Sequence, residues 1–247
     1  MKILIGTPMY GGLCSSQFCS SILNLSDSLK LIGYQMSSYF PSGVSLIQMA
    51  RNDIVHYFLN KTNATHLFFI DGDQSFRAND VIKMINTNLP LIIGPVPKKK
   101  YYWDDMQSAL CDKKPDFHKH GTYFNINYLK EHSYIDKNTP FQIGEGGTAF
   151  MCIRRDVFTD LMPYTTTYMT NINESEDQHY NFFQVQVCDH SKILQSEDFF
   201  FCNSYRKIGG KIWCAPWCEV GHYGQHCYTG NYPERVHNEK LIKELPS

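Results

Sequence analysis

Two carboxylates separated by one glycine, Asp71-Gly72-Asp73, are the residues best placed to do chemistry in this chain. They end the run His66-Leu67-Phe68-Phe69-Ile70, which is apolar enough to be a strand buried on both faces. A strand ending in Asp-x-Asp delivers two charges to the carboxyl edge of a sheet, where open α/β folds bind ligands. Hard oxygen donors suit Mg²⁺ or Mn²⁺, shared between protein and substrate phosphates. The competing reading is an ordinary Asp/Gly turn. A second acidic pair, Glu197-Asp198, follows Ser196 and opens a helical pattern. Acids in a first helical turn are favoured by the helix dipole. A carboxylate there can equally serve as general base toward an attacking hydroxyl.

Three further groups bear on such a site. Arg51, one turn into a helix expected from Leu46 to about Asn60, could reach a diphosphate or simply be solvated. Lys98-Lys99-Lys100-Tyr101-Tyr102-Trp103 is a basic, aromatic loop suited to phosphate or sugar. The run Cys214, Cys218, His222, His226 and Cys227 has zinc-ligand residue types. Its even spacing would align only on a helix, which Pro216, Gly221 and Gly224 oppose. One imidazole joining Asp71 and Asp73 is the better use of it; His222 is first choice and His226 its rival.

The elements that must position these groups alternate. A short strand, Lys2–Thr7, breaks into Pro8-Met9-Tyr10-Gly11-Gly12. Ser15–Leu31 shows helical spacing, with Phe18, Ile22, Leu25 and Leu29 on one face and Gly33 at its end. Gln35–Phe40 reads as a strand, Ser45 as the cap of the next helix, and Asn79 as the cap of a helix over Asp80–Ile85. Leu89–Gly94, Thr148–Ile153 and Lys211–Cys214 read as strands, Tyr123–Leu129 as a weaker one, and Arg154 to Met162 as a short helix. Tyr168–Val187 carries β-like alternation. The sum is an α/β fold with a mostly parallel sheet, and with no linker or repeat it reads as one domain.

The totals restrict the function classes. A hydrophobic fraction of 43% against 19% charged residues describes a globular chain, and 247 residues suffice for a sizeable core. A formal net charge of -1 offers no global attraction to nucleic acid or anionic membrane. The run Met1–Gly6 is too short for a signal peptide, and nowhere are there the ~18 apolar residues of a membrane span. The expectation is a cytoplasmic protein whose nine cysteines are reduced. Sequons at Asn24, Asn60, Asn63 and Asn173 would then be chance matches.

Taken in order, Thr7-Pro8-Met9-Tyr10, Ala50-Arg51-Asn52, His66 to Asp73, Gly147-Thr148-Ala149-Phe150, Arg154 to Phe158, Ser196 to Phe199 and His222 resemble the GT-A fold glycosyltransferases. The likeness is to small viral and phage members, such as the N-terminal domain of a chlorella virus glycosyltransferase. It covers most of the chain, with Lys98 to Asn138 the least matched.

The resemblance implies a Rossmann-like GT-A domain with a central, mostly parallel mixed sheet flanked by helices. Residues 1–97 would form its nucleotide-binding half and 98–247 its acceptor-binding half. It implies a nucleoside-diphosphate sugar donor, commonly UDP-linked, Mn²⁺ or Mg²⁺, and a glycan or glycoprotein acceptor, a viral capsid glycan among the candidates. If the chain is viral, its compartment would be the host cytoplasm. Thr7, Pro8, Tyr10, Arg51, Asp71, Gly72 and Asp73 would bind the nucleotide; Asp71, Asp73 and His222 would hold the metal. Glu197 or Asp198 would be the base of an inverting transfer. A nucleotidyltransferase is weaker, because no Arg or Lys follows Gly11-Gly12. A catalytically silent sugar- or nucleotide-binding module and a structural zinc protein remain as alternatives.

Overall fold

The computed structural model describes residues 1–129, 135–170, 177–188 and 192–235; the sequon at Asn173 lies outside them. In chain order the elements are β1 (Lys2–Gly6), α1 (Ser16–Leu31), β2 (Gln35–Tyr39), α2 (Ile47–Lys61), β3 (His66–Ile70) and β4 (Gln74–Ser75). Then come α3 (Ala78–Asn86), β5 (Leu91–Ile93), α4 (Trp103–Cys111), β6 (Ile126–Asn127), β7 (Phe141–Ile143), β8 (Glu145–Gly146), β9 (Phe150–Arg154) and α5 (Arg155–Leu161). The last group is β10 (Thr167–Thr170), β11 (Asp177–Tyr180), β12 (Gln186–Val187), β13 (Leu194–Gln195), α6 (Glu197–Lys207), β14 (Ile212–Cys214), β15 (Gly221–Tyr223) and β16 (Cys227–Tyr228).

Seven strands form the central sheet in the order β2-β1-β3-β9-β5-β14-β7. Five run one way, while β9 and β7 run antiparallel to their neighbours. Four of the seven come from residues 1–97 and three from the rest. A purely parallel sheet does not form, because β9 inserts between β3 and β5 in the reverse sense. An apolar run such as Phe150–Ile153 carries no mark of direction.

Every residue of β3 is buried, as its continuous apolar run demands. Leu67 and Phe69 enter one core with Phe58 of α2, Phe158 of α5 and Phe201 of α6. Phe68 and Ile70 enter the other with Phe18 and Leu25 of α1 and Met84 of α3. The sheet is thus covered by helices on both faces. Local signals set most helix ends. Ser15 accepts from the Phe18 amide and starts α1. Gly33 takes φ +75 just past its end, where a side chain would strain the backbone.

Other expected signals do not operate. The N-cap of α2 is Leu46, with no side-chain bond, so Ser45 does not cap. The helix expected at Asp80 begins at Ala78, with Asn79 inside its first turn. Tyr123–Leu129 supplies only the two residues of β6. Tyr168–Val187 contributes a small hairpin, β10-β11, and β12, which pairs with β13. Among the described residues no helix is long and apolar enough to cross a membrane.

Candidate active site

The carboxyl ends of β1, β3 and β5 and the amino end of the reversed β9 meet at one edge of the sheet. A cleft of about 480 Å³ opens there, lined by Arg51, Asp71, Lys98, Asn125, Asp198 and His222 among others. A larger cleft, about 530 Å³, lies around Arg77, Trp217, Glu219 and Tyr232. We place the site in the smaller one because buried charged groups converge there.

Gly72 lets the turn after β3 close against the loop after β1. An added Cβ would come 3.2 Å from Cys14 Cβ and 3.6 Å from Thr7 Cγ2. The Gly72 carbonyl accepts from the Ser15 amide at 2.8 Å, and the Asp71 amide donates to Ala149 O at 3.0 Å. The two acids leave this turn toward different partners. Asp71 Oδ1 pairs with Arg51 Nη2 at 3.5 Å. Asp73 Oδ2 accepts from Lys99 Nζ at 2.5 Å, and its Oδ1 lies 3.5 Å from His222 Nε2. Burial works to raise the Asp73 carboxyl; His222 and Lys99 outweigh it and hold it below the usual carboxylate range.

His222 is oriented by the backbone. Its Nδ1 sits 2.7 Å from Pro97 O, and a carbonyl can only accept, so Nδ1 carries the hydrogen. In the neutral ring Nε2 then presents its lone pair toward Asp73, the tautomer in which metal-binding histidines are held. His226 points elsewhere, its Nε2 2.9 Å from the Tyr101 hydroxyl. It is no rival for Asp73.

The acidic pair divides. Glu197 Oε1 accepts from Arg51 Nε at 3.3 Å, and both side chains are almost wholly buried. Asp198 faces the cleft. Its Oδ1 accepts from the Ser196 hydroxyl and, at 2.9 Å, from the Phe199 amide, while Oδ2 lies 3.5 Å from Asn125 Nδ2. Ser196 stands at the N-cap of α6, yet its hydroxyl serves Asp198 and makes no capping bond.

Arg51 links the halves of this arrangement: only 4% exposed, it touches Asp71 and Glu197 and lies 5.6 Å over the Phe69 ring. Several buried polar atoms here have no hydrogen-bond partner: Thr7 Oγ1, Arg51 Nη1, Asp71 Oδ1, Asp73 Oδ1 and Thr148 Oγ1. Such atoms are costly to leave unpaired, and their concentration at one sheet edge marks a place built for a polar ligand.

Not every expected residue joins the cleft. Tyr10 is 69% exposed on the loop after β1, Pro8 is half-buried beside it, and neither lines the cleft; Asp73 does not line it either and meets it through Lys99 and His222. Among the described residues Asp71, Asp73 and His222 do not close into one three-ligand set, because Arg51 draws Asp71 aside. The cysteine-histidine run forms no such set either. Burial pushes the Cys214 and Cys218 thiols up, so they stay protonated in the core, Cys218 against Met84. Sequence reasoning missed Asn125, which sits in the stretch read only as a weak strand, and it could not assign Lys99 a partner.

No known protein family matches the sequence, and no curated protein is similar to it. Among solved structures the chain is similar to A197 from STIV, with a TM-score of 0.52 at 11% identity over 94% of this chain and 95% of that one. This likeness shows the fold alone. A glycosyltransferase involved in glycosylation of the major capsid of PBCV-1 aligns over 64% of this chain and 63% of its own, with 9% identity and a TM-score of 0.32. That score is too low to bear on function.

Proposed function

We propose that the chain is a metal-dependent glycosyltransferase of GT-A type. It would move a sugar from a nucleoside-diphosphate donor, UDP-linked in the first instance, to a hydroxyl of a glycan or glycoprotein, with inversion. One observation carries this reading: Arg51, Asp71, Asp73, Lys98, Lys99, His222 and Asp198 converge at the carboxyl edge of a mixed sheet. Carboxylates with an imidazole fit a divalent cation, cationic side chains fit a diphosphate, and a further acid stands across from them.

The donor set suits Mn²⁺ or Mg²⁺: a carboxylate oxygen without a hydrogen bond, Asp73 Oδ1, lies 3.5 Å from His222 Nε2, which offers a lone pair once that nitrogen is unprotonated. When bound, the cation would neutralise charge on the departing diphosphate. Lys99, now on Asp73, would be released toward phosphate, and Lys98 would stand beside it. Arg51 anchors Asp71 and so fixes the turn that presents Asp73. Asp198 is the better base of the acidic pair, since Glu197 is committed to Arg51. Asn125 and the Phe199 amide hold Asp198 with its Oδ2 toward the cleft, ready to take the acceptor proton as oxygen attacks the anomeric carbon. The acceptor class, including a capsid glycan, follows from the sequence resemblance and not from this geometry.

Thermal unfolding with UDP, GDP or CDP, each with and without Mn²⁺, tests the binding half. At a concentration of ~100 Kd a ligand adds about 2.7 kcal/mol, or roughly 5–10 °C for a chain this size. One nucleotide should give a Mn²⁺-dependent shift that disappears in Asp73→Ala and weakens in His222→Ala. No shift with any of them would overturn the reading.

A further inference from the structure

A second constellation lies away from the cleft, on the outer part of α2. Period-two alternation along β11 puts Asp177 and His179 on one face of that strand. β11 packs against α2, and His56 of that helix meets the pair. One ligand atom from each of the three lies within 4.8 Å of the other two. The His56 and His179 rings stack, with centroids 4.0 Å apart and planes 21° from parallel.

His179 is 1% exposed, and its Nδ1 is buried without a hydrogen-bond partner. A structure seldom leaves an imidazole nitrogen in that position without a use for it. The half-buried His56 and Asp177 also line a cleft of about 340 Å³ with Asn52, Asn60 and Tyr180. That opening gives an ion a route from solvent and room for a water.

From this geometry we infer that His56, Asp177 and His179 form a binding site for a divalent transition cation, zinc being the first candidate, with one position left for water. Two imidazoles and one carboxylate are a borderline donor set, which favours Zn²⁺ over Mg²⁺ or Ca²⁺. Ligands about 2.0–2.2 Å from zinc in a tetrahedron lie roughly 3.3–3.6 Å apart. Closing from the present spacing requires rotation of the His56 and Asp177 side chains, both half-buried, while His179 stays fixed. The site is independent of Asp73 and His222, which stand at the sheet edge.

The test is equilibrium binding of Zn²⁺, and of Co²⁺ read by its visible d–d spectrum, to the full chain stripped of metal. One equivalent should bind with a tetrahedral Co²⁺ spectrum, and should still bind in the double variant Asp73→Asn/His222→Ala. His56→Ala and Asp177→Asn, both at half-buried positions, should keep the fold by circular dichroism. Each should weaken binding by at least the roughly 10–100-fold that loss of even an outer-sphere partner costs. His179→Gln should do the same, and His56→Ala decides the matter if that variant unfolds. Absence of binding, binding indifferent to His56→Ala and Asp177→Asn, or loss in the Asp73/His222 double variant would each overturn the assignment.

Discussion

Replacing Arg51 by Met removes a buried guanidinium and leaves two acids facing each other across its place. The distances are 3.3 Å to Glu197 and 3.5 Å to Asp71. At an effective dielectric near 20, each contact amounts to a gross attraction of about 5 kcal/mol. Desolvation offsets most of that in the native protein. Breaking the pair leaves the desolvation without the attraction, so Arg51→Met should cost about 3–5 kcal/mol in urea unfolding at pH 7.5. The sharper readout is a cycle with Glu197→Gln. In the native background that change breaks a contact and destabilises. In the Arg51→Met background it removes an unpaired buried charge and stabilises. The coupling should be about 1–3 kcal/mol and little affected by salt, because the pair is shielded from solvent. Equal effects of Glu197→Gln in both backgrounds would refute the claim that Glu197 serves Arg51, and with it the assignment of Asp198 as the free acid.

Three other outcomes are expected. His66 is buried, and burial drives its imidazole down to about 4 from an ordinary 6.5. The unfolded chain takes up that proton first, so stability should be full above pH 6.5 and fall by roughly 3 kcal/mol as the pH drops to 4. Urea midpoints across this window should decline more gently in His66→Gln; identical slopes would contradict the account. Arg155 donates to the carbonyls of Phe58, Leu59 and Ala64 and stacks 4.1 Å over the Phe58 ring, tying down the end of α2. Arg155→Ala should cost about 3 kcal/mol, and Lys should recover little because it lacks the planar fork. At Gly94 an added Cβ would sit 2.5 Å from Phe150 Cδ1, on a ring with no freedom to move. Gly94→Ala should therefore lower the urea midpoint by an amount equal to about 1–3 kcal/mol.

What could be read in the sequence and what could not follow from one distinction. The run before Asp71 showed a doubly covered strand, and the spacing from Phe18 to Leu29 showed α1, because those signals are local. The reversal of β9 is not local: its apolar run reads the same in either direction, and only pairing with β3 and β5 fixes it. Glu197 and Asp198 are adjacent in one helical turn, so sequence offers no means to separate them. Arg51 beside one and Asn125 beside the other do so, and both partners are distant in the chain. Asp71-Gly72-Asp73 was legible as two acids at the end of a buried strand, yet the diversion of Asp71 to Arg51 is a tertiary fact. His56, Asp177 and His179 gave no signal, since a helix and a strand far apart in sequence bring them together.

The most direct test of the central claim is release of nucleoside diphosphate from a panel of UDP-, GDP- and CDP-sugars with Mn²⁺, comparing the native chain with Asp198→Asn. The account expects slow metal-dependent release from one donor class, quickened by a glycan acceptor. In Asp198→Asn that release should fall by the 10²–10⁴-fold (roughly) that a general base contributes, with nucleotide binding unchanged. Nucleotide bound but no donor turned over, or turnover indifferent to Asp198→Asn, would contradict it.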